Sequence, residues 1–170
     1  QDWLHTHPDF FEPYLDYDDH QRQNVYENKR NLPSVVNQMA NAFIRLAKDH
    51  QIAPEACRRL LQDSPTRLPL VEMGTAIYSD YQDALNYRGS VDFDDLIRLA
   101  LRCLRSDPAL VALLRQRWPY ILEDEAQDSS LLQQEILSLL AGDSGNWVRV
   151  GDPNQAIYET FTTASPQYLL

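Results

Sequence analysis

From about residue 18 to residue 88 the apolar positions recur every three or four residues, the period of helices that bury one face. Val36, Met39, Ala40, Phe43 and Ala47 form one such stripe. Pro54 can open a second helix, because the first turn leaves its N–H groups unbonded and tolerates proline. Ala56, Leu60 and Leu61 would be its apolar face. Pro69 can open a third, with Leu70, Met73, Ile77, Tyr81 and Leu85 on one stripe and Gly89 placed as a C-cap. The first 20 residues show no clean period. There Trp3, Phe10, Phe11, Tyr14 and Tyr17 stand among acids, and the aromatics are expected to dock on a neighbouring element.

The pattern changes at Ser90. Ser90 or Asp92 can cap a helix in which Phe93, Leu96, Ile97, Ala100, Leu101 and Leu104 repeat at helical spacing. Asp107 and Pro108 cap and start another, through Leu110, Leu113 and Leu114. Trp118 to Leu122 is a short apolar run that ends in acids and predicts a strand. Ser129 or Ser130 begins a helix whose face is Leu132, Ile136, Leu139 and Leu140. After a turn at Gly142-Asp143-Ser144-Gly145, Trp147 to Val150 predicts a second strand, closed by Gly151-Asp152-Pro153.

Strand, helix, strand normally closes with the two strands parallel. Both strands then deliver polar residues at their carboxyl ends, where open α/β sheets keep their ligand crevice. Asp124 and Glu125 come from the first, Asp152 and Gln155 from the second. The expected fold is mostly α with a short parallel β pair. Its organisation is a helical part over 1–88 and a strand-bearing part over 89–170.

The 170 residues suffice for one domain or a domain with a subdomain. A formal net charge of −10 argues against a simple basic nucleic-acid wrapper, although a local basic groove can sit on an acidic body. Cys57 and Cys103 are far apart, which fits free thiols in a reducing, cytoplasmic setting. No apolar run approaches the roughly 20 residues that span a bilayer. The start, Gln1-Asp2-Trp3-Leu4-His5, has neither a signal-peptide pattern nor an initiator Met, and a piece of a longer chain is expected. His5, His7 and Asp9 read as a terminal turn rather than a metal site, since no partner ligands are visible.

The residues with the most chemistry are Asp124 and Glu125. A hard cation such as Mg²⁺ takes oxygen ligands, often one or two carboxylates plus waters and substrate phosphates. An aspartate closing a strand is well placed for that, and the next, longer carboxylate can orient or deprotonate a water. By themselves the acids of Glu123-Asp124-Glu125 read first as a solvated turn rather than a site. Their surroundings are more specific. Residues 121–130 read Ile-Leu-Glu-Asp-Glu-Ala-Gln-Asp-Ser-Ser, residues 150–158 read Val-Gly-Asp-Pro-Asn-Gln-Ala-Ile-Tyr, and upstream stands Val91-Asp92-Phe93-Asp94-Asp95-Leu96.

In this order and spacing, Ser90 to Tyr158 resembles three consecutive motifs of the UvrD/Rep/PcrA family of superfamily-one DNA helicases. Residues 20–88 resemble, more weakly, the helical subdomain inserted into that family's first RecA-like motor domain. The resemblance implies an incomplete RecA-like P-loop NTPase core carrying a helical subdomain. It implies a parent that couples ATP hydrolysis to translocation on single-stranded DNA. Asp124 would hold Mg²⁺ through water and Glu125 would be the catalytic base. Gln127 and Asp128 would complete that motif, Asp128 serving equally as an N-cap. Gln155 would sense the γ-phosphate and Asp152 support its loop. Tyr158 and Phe161 would stack on bases, Phe161 having interior packing as its alternative. Asp92, Asp94 and Asp95 would cap and position their helix.

Two departures matter. After Tyr158 the arginines common in the family are replaced by Glu159-Thr160-Phe161-Thr162-Thr163-Ala164. The five glycines include no loop of the form Gly-x-x-x-x-Gly-Lys-Ser/Thr, the cradle for nucleotide phosphates. The chain alone is therefore expected neither to hydrolyse ATP nor to unwind DNA. Two further readings remain: a non-catalytic helical interaction module, and a metal-dependent nuclease using Asp124, Glu125 and Asp152, disfavoured because no Lys stands beside the acids.

Overall fold

The protein is described here by a computed structural model over residues 2–11 and 22–152. A short helix α1 (Asp2–Thr6) precedes α2 (Arg22–Asp49), α3 (Pro54–Gln62) and α4 (Pro69–Tyr87). Then come α5 (Phe93–Ser106), α6 (Pro108–Arg117), strand β1 (Ile121–Glu123), α7 (Leu131–Ala141) and strand β2 (Trp147–Arg149). The chain is mostly helical, with one short parallel strand pair. Among the described residues no helix is long and apolar enough to cross a membrane.

Helix starts fall where short-range chemistry puts them. Pro54 and Pro69 open α3 and α4. Asp92 rather than Ser90 caps α5, its Oδ1 accepting the Asp95 N–H at 2.8 Å. Asp107 accepts the Leu110 N–H at 2.9 Å and caps α6. Ser130 rather than Ser129 or Asp128 caps α7, and Gln133 reaches back to the Ser130 N–H in a full capping box. Gly89 follows α4 with φ +59°, a left-handed turn open to glycine at little cost.

Helices α2 and α4 form the helical core. Ile44, Ala47, Cys57 and Tyr78 make one buried cluster. Val36, Met73 and Phe11 make another, joined by Trp3, Leu4, Phe10 and Ile77. Trp3, Phe10 and Phe11 thus dock on α2 and α4, while Tyr14 and Tyr17 lie outside the described residues. The His7 ring stacks on Trp3 at 4.3 Å. Where α2 and α4 approach, a Cβ on Gly74 would lie 2.7 Å from the Phe43 ring, so only glycine admits this contact.

Periodicity misjudged some faces. Phe93 is 71% exposed and Leu96 53%, whereas Leu101 and Leu104 of the same helix are buried. Helix α5 packs on α7, and its first turn lies against α2 by polar groups. In α3, Leu60 is exposed, and Pro54 and Cys57 are the buried residues.

Candidate functional site

Strands β1 and β2 pair in parallel, with Ile121 opposite Trp147, Leu122 opposite Val148 and Glu123 opposite Arg149. Past the last pair the ladder continues, the Val150 N–H donating to the Glu123 carbonyl at 2.8 Å and the Ala126 N–H to the Val150 carbonyl at 2.9 Å. Both carboxyl ends are thereby held side by side. Between them runs the acidic turn: Asp124, Glu125, a single 3-10 turn over Ala126–Asp128, then Ser129 and the cap of α7.

Asp124 and Glu125 are both exposed. The Asp124 carboxylate accepts the Glu125 N–H at 3.0 Å. Glu125 is left-handed at φ 52°, ψ 41°, a conformation that non-glycine residues visit at some cost. No ion pair among the described residues engages either carboxylate. Their oxygens are hard donors open to solvent, which suits a partly hydrated divalent cation.

Gln127 links the two strand ends. It is 2% exposed. Its Nε2 donates to Glu125 Oε2 at 2.6 Å, and its Oε1 accepts the Asp152 N–H at 3.1 Å. The amide orientation is fixed by these opposite partners, a carboxylate on one side and an N–H on the other. Gly151 makes the approach possible, since a Cβ there would lie 2.4 Å from Gln127 Oε1. Asp128 lies in the 3-10 turn, and its Oδ1 is buried without a hydrogen-bond partner among the described residues.

Three further buried polar residues are not marked by the sequence pattern as partners in the fold. Glu123, the last residue of β1, is buried and accepts from Trp147 Nε1 at 3.0 Å, from Arg149 Nε at 2.7 Å and from the Ser129 hydroxyl. Asp49, at the end of α2, accepts the N–H groups of Leu131 and Leu132, each at 3.2 Å. It is thus a second, long-range cap on α7. Lys48 is fully buried and pairs with Asp92 at 2.5 Å and Asp95 at 3.0 Å. Lys48 was legible in principle, because it continues the buried spacing Val36, Ala40, Ile44.

The acids of the α5 cap are electrostatically divided. Burial pushes the Asp92 carboxyl up, but the Lys48 hydrogen bond, the Asp95 N–H, the Tyr81 hydroxyl and the Lys48 charge outweigh it, and the net shift is downward. Asp94 moves up, first by burial and then by the neighbouring Asp92 charge, despite Arg45 and Lys48 nearby. Tyr81, which donates to Asp92 at 2.8 Å, is pushed up to about 12 by burial and that hydrogen bond.

Asp124, Glu125, Gln127, Asp128 and Asp152 therefore lie in one place at the strand ends. Gln155, Tyr158 and Phe161 lie outside the described residues.

Residues 5–170 match the family model described as the UvrD/REP helicase N-terminal domain. The chain is 41% identical over 99 residues to an ATP-dependent DNA helicase UvrD2 of Mycobacterium tuberculosis, covering 56% of this chain and 14% of the relative. It is 43% identical over 82 residues to an ATP-dependent DNA helicase PcrA of Leuconostoc citreum, covering 48% and 11%. It is 37% identical over 90 residues to DNA helicase II of Escherichia coli, covering 53% and 12%. The matched stretch is thus a small part of each relative.

Proposed function

Since the chain belongs to the UvrD/REP helicase N-terminal-domain family, we propose that it is the part of an ATP-dependent DNA helicase that presents the cation and water carboxylates of the nucleotide site. The parent reaction is ATP hydrolysis coupled to translocation on single-stranded DNA. The relatives' names support the ATP and DNA dependence. We assign the strand pair to an incomplete RecA-like core over 89–170 and the preceding helices to its inserted subdomain over 1–88. Leu122 at 81% exposure, with Val148 and Val150 also exposed, supports the first assignment. Parallel sheets are covered on both faces, so further strands and helices of the parent belong there.

One observation carries the reading. Gln127 joins the Glu125 carboxylate to the backbone of Asp152, so the acid turn is fastened to the end of β2. In this assignment Asp124 would hold Mg²⁺, and bound Mg²⁺ would supply charge neutralisation at the phosphates. Glu125 orients the attacking water and takes its proton. Gln127 keeps the Glu125 oxygen aimed. Asp128 and Asp152 support the two loops, and Gln155 reports the state of the γ-phosphate. Tyr158 and Phe161 stack on single-stranded bases, where each base–aromatic contact is worth about 1–3 kcal/mol.

The test uses the full reading frame that contains this chain. Glu125→Gln should lower DNA-stimulated ATP turnover by about 10²–10⁴-fold, with nucleotide binding retained. Unchanged turnover would overturn the assignment. The 170-residue chain by itself should show no turnover above its own Glu125→Gln variant, because the phosphate-cradling loop is missing from its sequence.

A further inference from the structure

Glu123 stands at a position where a buried strand asks for an apolar side chain. Burying a carboxylate is costly unless it is fully partnered. Here the partners do more than neutralise it. Oε2 takes Arg149 Nε at 2.7 Å and Trp147 Nε1 at 3.0 Å, both from β2. Oε1 takes the hydroxyl of Ser129. Strand pairing accounts for the first two, since Glu123 and Arg149 are opposite in register. It does not account for Ser129, which lies beyond the acidic turn. Glu123 immediately precedes Asp124, and Ser129 immediately follows Asp128. The Glu123 side chain therefore fastens the far end of the turn to its near end, and both to β2.

We infer that Glu123 is a positioning residue: through Ser129 it closes the five-residue turn Asp124–Asp128 into a staked loop and sets where the exposed carboxylates point. Glu125 in a left-handed conformation is consistent with a turn held from outside rather than by its own preference. The pair with Arg149 also cancels the Glu123 charge, so a fourth negative group does not add to Asp124, Glu125 and Asp128 beside an incoming phosphate. The link to cation binding rests on the reading of Asp124 and Glu125 proposed above; the staking of the turn does not.

The experiment uses this 170-residue chain, with Mn²⁺ as the probe and NMR as the readout. Ser129→Ala opens the clasp but leaves the Glu123 carboxylate held by Arg149 and Trp147, so the fold is retained. Amide exchange at Ala126 and Asp128 should speed up by about 10-fold, the scale of one lost hydrogen bond, while Val150 stays within about 2-fold. The Mn²⁺ concentration that broadens the Glu125 and Gln127 amides should rise by about 10-fold, as when an outer partner of a metal ligand is removed. Glu123→Leu also strips Arg149 of this partner and should speed exchange at the turn by more than Ser129→Ala does. In Ser129→Ala, unchanged turn amides, or acceleration of Val150 together with the turn, would overturn the inference, because Glu123 would then be only a fold element. If the turn amides respond selectively but Mn²⁺ broadens nothing there in the wild type, the clasp stands and the cation assignment of Asp124 falls.

Discussion

Lys48 and Asp95 meet at 3.0 Å with both side chains withdrawn from solvent, 0% and 2% exposed. The same ammonium reaches Asp92 at 2.5 Å and lies 5.3 Å from the centre of the Tyr81 ring. One cation from the end of α2 thus serves the cap of α5 and the residue behind it. Arg98 pairs with the other oxygen of Asp95, so the cluster is balanced at two cations and two carboxylates.

Removing Lys48 leaves that balance broken inside the protein. Lys48→Met should lower unfolding stability by about 3–5 kcal/mol, the usual result of stripping one partner from a buried ion pair. The check is the denaturant midpoint at constant slope. A loss below about 1 kcal/mol would mean that the carboxylates find water instead.

The two shifted acids of the α5 cap predict opposite responses to pH. The Asp92 carboxyl lies below its ordinary value in the fold. Its stabilising contribution is therefore present above the ordinary carboxylate value and lost as pH falls through the folded value. The Asp94 carboxyl lies above its ordinary value. Its contribution is present in acid and lost as pH rises through the folded value. Accordingly Asp92→Asn should be less stable than wild type at neutral pH, with the gap closing in acid. Asp94→Asn should be more stable at neutral pH, again with the gap closing in acid. Chemical melts of the three proteins across that range measure both differences.

Asp49 ties the end of α2 to the start of α7 across more than 80 residues of sequence. Asp49→Ala should cost about 1–2 kcal/mol, as for loss of a helix cap. Asp49→Asn should cost less, because its amide oxygen still accepts. Exchange of the Leu131 and Leu132 amides reports the site directly, and equal losses for both variants would show that the charge rather than the acceptor matters.

Glu125 trades stability for its position. Glu125→Gly should stabilise the chain by about 1 kcal/mol at most, because glycine occupies the left-handed region without the Cβ clash. The gain is reduced by the lost hydrogen bond from Gln127 and by the greater freedom of glycine in the unfolded chain. Thermal unfolding of the two proteins gives the sign. A clear destabilisation would mean that the Gln127 contact outweighs the strain.

Much of the fold was legible because its signals are local. Pro54 and Pro69 open helices through their fixed backbone, and Asp92, Asp107 and Ser130 through bonds to residues three positions on, so a reading of neighbours finds these starts or narrows them to a few nearby candidates. The parallel pairing of β1 and β2 followed from the strand–helix–strand order, and with it the meeting of Asp124 and Glu125 with Asp152. The faces of α5 were less legible. Phe93 and Leu96 satisfy the helical period, yet the first turn of α5 is fastened by ions and leaves them in solvent.

The sequence by itself determined the starts of α3, α4 and α6, the parallel strand pair and the acidic turn between them, because capping and strand order act over short distances along the chain. Only the tertiary structure decided that Lys48 is interior, that Asp49 caps a helix from the other half of the chain, and that Glu123 spans the turn from Arg149 to Ser129. Buried polar groups need partners, and the packing of α2, α5, α7 and the strands determines which partners they meet.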